Sequence, residues 1–108
     1  MGKYTTGIKG NLDIFIAENE DASGGDITKW QDILIHGDPE GLRSLATLLL
    51  KLAGSDQNAN SNLPTGAREH MHLRPGHGLS NSSVSVIIGR LDAKGTGAFY
   101  DRFIPVKK

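Results

Sequence analysis

His36-Gly37-Asp38-Pro39-Glu40-Gly41-Leu42-Arg43-Ser44-Leu45-Ala46-Thr47-Leu48-Leu49-Leu50-Lys51-Leu52-Ala53-Gly54 is the stretch that decides the fold. Asp38 is a good N-cap, because its carboxylate can accept the free amide hydrogens of a first helical turn. Pro39 follows where a missing N–H costs nothing, and Glu40 puts negative charge at the positive end of the helix dipole. Leu42, Leu45, Leu49 and Leu52 recur at spacings of three and four, with Ala46 and Ala53 beside them. That is one apolar stripe on a helix of about residues 39–53, and it predicts a buried face. Lys51 in the last turn and Gly54 beyond it are stop signals. Gly41 is the discordant residue and should weaken the first turn by roughly 1 kcal/mol relative to Ala.

Upstream of the helix the period changes from 3.6 to 2. In Leu12-Asp13-Ile14-Phe15-Ile16-Ala17 the residues Leu12, Ile14 and Ile16 share a face, as expected of a strand. The polar run Glu18-Asn19-Glu20-Asp21-Ala22-Ser23-Gly24-Gly25-Asp26 reads as a hairpin loop. Ile27 to His36 returns as a second strand, with Ile33 and Ile35 on one face and Leu34 on the other, and the two runs should pair antiparallel.

Downstream, the Ser/Asn-rich run within Gly54 to Gly66 reads as a mobile surface loop. Arg68 to Arg74 is a short strand with Met71 and Leu73 on one face and His70 and His72 on the other. Pro75-Gly76-His77-Gly78 is a turn, and Ser83 to Leu91 is the strongest strand, with Val84, Val86 and Ile88 toward the core. A last strand is expected within Ala98 to Val106, which carries Phe99, Tyr100, Phe103 and Ile104. The expectation is an α+β fold: an antiparallel sheet of four to six strands, with one long helix (about 39–53) packed on one face, in a single domain over 1–108. One helix covers one side of such a sheet. The other side, with His70, His72, Ser85, Ile87 and Phe15 or Trp30, is then solvated or a contact surface.

Composition narrows the function classes. Twelve basic and twelve acidic residues leave no excess charge to point to nucleic acid. The absence of cysteine excludes disulfide scaffolds, thiolate metal sites and cysteine nucleophiles. Met1 to Gly7 has no apolar run of signal-peptide length, and Leu48-Leu49-Leu50 is too short to cross a bilayer. These features suggest a cytoplasmic protein with no membrane partner.

Four groups of side chains are candidates for chemistry or contact. Glu69-His70-Met71-His72 puts two imidazoles on one strand face, with His77 a turn away, a pattern compatible with zinc or iron. Two histidines on the polar face of a strand are the plainer explanation, so no metal or other cofactor is assigned; a small metal enzyme using His70, His72 and His77 is the alternative. Ser80, Ser82, Ser83 and Ser85 stand in no nucleophile elbow, and Gly76-His77-Gly78 and Gly95-Thr96-Gly97 complete no phosphate-binding pattern. The acidic Glu18, Glu20, Asp21 and Asp26 do not have calcium-loop spacing and suit a solvated tip or a basic partner. Trp30, the only tryptophan, either caps the core or anchors an interface, with partial burial favoured. The Lys107-Lys108 pair is a solvated tail.

The order of three pieces carries a family resemblance: the Gly37-Asp38-Pro39-Glu40-Gly41 helix start with its leucines, then His70-Met71-His72-Leu73-Arg74-Pro75-Gly76, then Ser83-Val84-Ser85-Val86-Ile87-Ile88-Gly89-Arg90-Leu91. Over about Ile33 to Leu91 the chain resembles bacterial polymorphic-toxin immunity proteins of the immunity protein 32 type. The resemblance implies a non-catalytic protein that binds and neutralises a cognate toxin, and it carries over no catalytic residues. The candidate partner-binding residues are His70, His72, Glu18, Glu20, Asp21 and Trp30. The rival to a toxin partner is a homodimer that covers the open sheet with a second copy.

Overall fold

The computed structural model describes residues 7–107. The reading of Met1 to Thr6 as a start without a leader, and Lys108 of the terminal lysine pair, lie outside the described residues. The elements are β1 (Leu12–Asp21), β2 (Thr28–Gly37), α1 (Pro39–Gly54), β3 (His70–Pro75), β4 (Gly78–Leu79) and β5 (Val86–Gly89). The class is α+β with one α-helix among the described residues, but the strands form two sheets instead of one of four to six strands. β1 and β2 make a two-stranded hairpin, and β4-β3-β5 make a three-stranded sheet.

The helix start is built as its residues dictate. The Asp38 carboxylate accepts the Gly41 N–H at 2.8 Å. It also accepts the Asn11 N–H at 3.0 Å and the Asn11 side-chain amide at 2.8 Å, so the cap is tied to the segment before β1. Farther along α1, the Ser44 hydroxyl bonds the Lys9 main chain, and Gly7 lies against Leu48. Residues 7–11 therefore run antiparallel alongside α1. Gly41 is explained by this contact: a Cβ there would lie 2.0 Å from the Asn11 carbonyl oxygen. The residue that local propensity disfavours is the one that lets two main chains touch.

This anchoring sends the helix back along residues 7–11, while the hairpin runs the other way. Ten strand residues reach about 33 Å and sixteen helical ones about 24 Å. Laid roughly end to end they account for the 56 Å long axis of the molecule. The radius of gyration is 17.2 Å, against about 13 Å for a compact domain of this length. The expected packing of α1 across one sheet face is thus corrected. The helix meets β2 at its base, where Leu42 sits over Gly37, and leaves the rest of the hairpin uncovered.

The core lies where the hairpin base, α1 and the second sheet meet. Leu12, Ile14, Leu45, Leu73 and Leu79 are buried, and Ile8, Leu48, Val86 and Ile88 pack against them. The buried side of α1 is rotated from the expected stripe. Gly41 and Leu45 are buried and Leu48 and Leu52 half-buried, whereas Leu42, Leu49 and Leu50 are exposed. A strip on the 41-45-48-52 diagonal is what the narrow contact with residues 7–11 selects.

Three other expectations are corrected. The run after Gly54 is a stitched connection. Gln57 is buried and bonds the Asp92 carbonyl at 2.7 Å and the Glu69 N–H at 3.1 Å, and the Lys94 ammonium bonds the Asn60 and Leu63 carbonyls. Polar side chains there satisfy main-chain groups instead of water. β5 is confined to Val86–Gly89, and Val84 is exposed, its N–H spent on the Ile14 carbonyl at 2.8 Å. No strand forms in 98–106, where Phe99 and Phe103 pack edge to face on each other at 5.2 Å.

Candidate functional site

Two surfaces stand out, the hairpin arm and the outer face of the second sheet. In the arm the first part of the polar run read as a loop, Glu18 to Asp21, is strand. Glu18 pairs with Gln31, Asn19 with Trp30 and Glu20 with Lys29, and the chain reverses only at Ser23–Gly25. Side-chain bonds support these pairs: the Gln31 amide donates to Glu18 at 2.5 Å and the Asn19 amide to Asp32 at 2.8 Å. Gly24 and Gly25, at φ +80° and +91°, allow the reversal.

One face of the arm continues the core face outward. Leu12 and Ile14 are buried at its base, opposite Gly37 and Ile35. Ile35 is nonetheless 49% exposed, and in the next pair outward Ile16 is 48% and Ile33 70% exposed. On the other face Phe15 packs on His36 at 5.4 Å, and Trp30, 44% exposed, donates its indole N–H to Asp32 at 3.3 Å.

The main chain of the arm is also open at its edge. The Ser80 and Val84 N–H groups bond the Leu12 and Ile14 carbonyls at 2.9 and 2.8 Å, so these residues point their polar groups away from β2. By the antiparallel alternation, their partners along β2 point theirs outward on the opposite edge. Lys29, Gln31, Ile33 and Ile35 accordingly form a free strand edge, with no ladder partner among the described residues.

Charge is partitioned between arm and body. Residues 12–37 hold six of the twelve acidic residues and one of the twelve basic ones, Lys29, for a net charge of −5. The chain is neutral overall, so the remainder carries +5. Glu18, Glu20, Asp21, Asp26 and Asp32 are exposed, and the ion pair found among the described residues, Arg90–Asp92 at 2.7 Å, lies outside the arm. Asp13 is the inward exception. The Ser80 and Ser82 hydroxyls that donate to its carboxylate hold its pKa below the usual carboxylate value. Both hydroxyls are thus engaged by one carboxylate, which ties β1 to the segment after β4.

The second surface is the exposed side of β3 and β5. His70 and His72 stand there opposite Gly89 and Ile87 of β5, their rings 5.0 Å apart and edge to face. The His70 Nδ1–H donates to the Arg68 carbonyl at 3.0 Å, and Arg74 lies 3.4 Å from His72 Nδ1. A groove of about 510 Å³ runs beside them, lined by Arg68, His70, Ile87, Arg90, Tyr100 and Arg102 among others. Arg68 stacks on the Tyr100 ring at 3.8 Å and donates to the Leu91 and Ala98 carbonyls, both at 2.7 Å. Arg90 is structural. It forks onto Asp92 and bonds the Leu52 and Ser55 carbonyls at the end of α1, and this pairing lowers the Asp92 pKa.

The expected site residues therefore fall on two surfaces. His70 and His72 come together on the second sheet. His77 is placed in the β3–β4 turn, and among the described residues no group of three histidine or acidic side chains is arranged to hold a metal ion. Glu18, Glu20, Asp21 and Trp30 are all on the arm. Sequence reasoning missed the exposed Ile16, Ile33 and Ile35, which alternation assigns to a core, and the groove residues Arg68, Tyr100 and Arg102. The clustering of acidic residues between 12 and 37 is the signal that marks the arm as a separate surface. No helix among the described residues is long and apolar enough to cross a membrane.

A family model described as Immunity protein 32 matches residues 32–91, more than half of the chain. No curated protein and no solved structure matches it.

Proposed function

This chain belongs to the Immunity protein 32 family, and from that premise we propose that it is a non-catalytic protein that binds a cognate bacterial toxin in the cytoplasm and neutralises it by covering the surface the toxin works with. The observation that carries the reading to a particular surface is the arm. Its isoleucines are held in solvent by a hairpin that the body of the same molecule does not cover. Exposed apolar patches rimmed by polar residues are what a protein partner buries. Trp30, with Asp32 and Asn19 around it, is the aromatic anchor of the opposite face. The histidine face and its groove form a second, smaller contact in which Tyr100 and the arginines, residue types favoured at interface centres, adjoin His70.

Co-expression with the product of the neighbouring gene tests the reading, which expects that product to carry a growth-arresting domain. The unsubstituted chain restores growth, and the Trp30→Ala, Ile33→Ala double variant loses rescue while keeping its melting temperature. His72→Glu weakens binding less, without unfolding the domain. Failure of the unsubstituted chain to bind or rescue would sink the immunity reading. Full rescue by the double variant would move the contact off the arm.

A further inference from the structure

We infer that the arm engages its toxin by strand addition: a free edge strand on a positively charged surface of the toxin pairs with β2 along Lys29, Gln31, Ile33 and Ile35. This rests on the immunity reading and specifies how the contact is made and what chemistry the toxin offers. The first ground is the open edge, which presents alternating N–H and C=O groups, and such groups pair readily with another extended chain. The second is that the side chains of these same residues lie on the face where Ile16, Ile33 and Ile35 are exposed. An added strand would therefore gain main-chain hydrogen bonds and apolar contact together.

Charge selects the occupant. The arm carries −5, with five exposed carboxylates outside any ion pair among the described residues. A positively charged partner is drawn to it, and an Arg or Lys can also stack on Trp30. The same count disfavours a second copy. Pairing two β2 edges lays two arms of −5 side by side, and the register centred on Asp32 sets the two carboxylates opposite one another. The outer edge of β1 is the poorer docking site, because its uncovered part carries Glu18 and Glu20 and no isoleucine beyond Ile16.

The experiment is titration of the neighbouring gene's product, the expected toxin, purified in an inactivated form, with the full chain, at low and at moderate salt. Gln31→Pro is the central variant, because its N–H faces solvent and its loss leaves the β1–β2 ladder intact while blocking an added strand. Affinity should fall at least 100-fold in Gln31→Pro with an unchanged melting temperature, and remain near the unsubstituted value in Gln31→Ala. Ile33→Thr, which keeps a strand-compatible side chain, should lose about tenfold and serves if the proline variant fails to fold. Glu18→Gln, Glu20→Gln, Asp26→Asn combined should flatten the salt dependence, and heparin, a generic polyanion, should compete for that product. Tight binding by folded Gln31→Pro, or affinity indifferent to salt, overturns strand addition and leaves the immunity reading standing. A dimer of the free chain that Gln31→Pro abolishes gives the edge to a second copy and overturns it too. No binding by the unsubstituted chain removes the immunity reading and this inference together.

Discussion

The base and the outer half of the hairpin share one alternating pattern and meet opposite fates. Leu12 and Ile14 are 1% and 3% exposed, whereas Ile16 and Ile33, on the same face one step farther out, stand in water. Alternation dictates that a strand has an apolar face; it does not dictate that anything covers it. Cover depends on where α1 can go, and Asp38 and Gly41 pin α1 to Asn11 so that it turns away from the arm. The body is therefore where substitutions should register as stability, and the arm where they should register as binding.

The largest expected effect comes from emptying the body. Leu73→Ala removes a side chain buried at the junction of α1 and both sheets and should destabilise by about 2–5 kcal/mol in a denaturant titration. A loss below about 1 kcal/mol would mean that the body is no better packed than the arm. Next is Gly41→Ala, where helix propensity favours Ala by about 1 kcal/mol and the contact with Asn11 opposes it. Overpacking there should win, with a net loss of about 1–3 kcal/mol. A stabilised Gly41→Ala would show that residues 7–11 do not hold the helix start.

Acid should act at the same hinge. The Asn11 N–H first, then the Gly41 N–H and the Asn11 amide, hold the Asp38 carboxyl below its usual pKa. Asp13 is lowered by Ser80 and Ser82, which tie β1 to the second sheet. Near pH 4 the unfolded chain binds protons that the folded chain does not, so stability rises with pH there. The contribution is complete above the unfolded carboxylate value of about 3.9 and is lost as pH falls through the lower folded values. Urea midpoints measured from pH 5 to pH 2.5 should fall, and Asp38→Asn should show a shallower fall. The smallest expected effect is in the arm: Ile33→Ala should change the urea midpoint by no more than about 0.5 kcal/mol, the usual range for exposed positions. A loss comparable to that of Leu73→Ala would mean that something in the free chain covers Ile33.

Much of this was readable in the residues themselves. The cap, the proline and the stop located α1 to within a residue of Pro39–Gly54, because a helix end is decided by groups within one turn. The antiparallel pairing of the first two strands, the turn after Pro75 and the exposed His70 and His72 followed from period and turn chemistry. The strand from Glu18 to Asp21 was not readable, since those residues favour turns and are held extended by partners across the hairpin, Gln31 and Lys29 among them. Gln57 was hidden in a run of polar residues, because its burial depends on Glu69 and Asp92, distant in sequence and adjacent in space. The candidate residues were legible as types, acidic, aromatic and imidazole, but not as members of two separate surfaces.

The sequence alone determined the α+β class, the helix with both its ends, the first hairpin pair and the family pattern in residues 32–91, because each depends on local capping, periodicity or residue order. Tertiary structure decided that the strands divide into two sheets, that α1 runs back along residues 7–11, and that Ile16, Ile33 and a free β2 edge are left in solvent. The physical reason is that an apolar face states only a demand for cover. Which faces meet that demand within the chain, and which keep it for a partner, is settled by long-range contacts such as Asn11 against Gly41, where two main chains touch because one residue has no side chain.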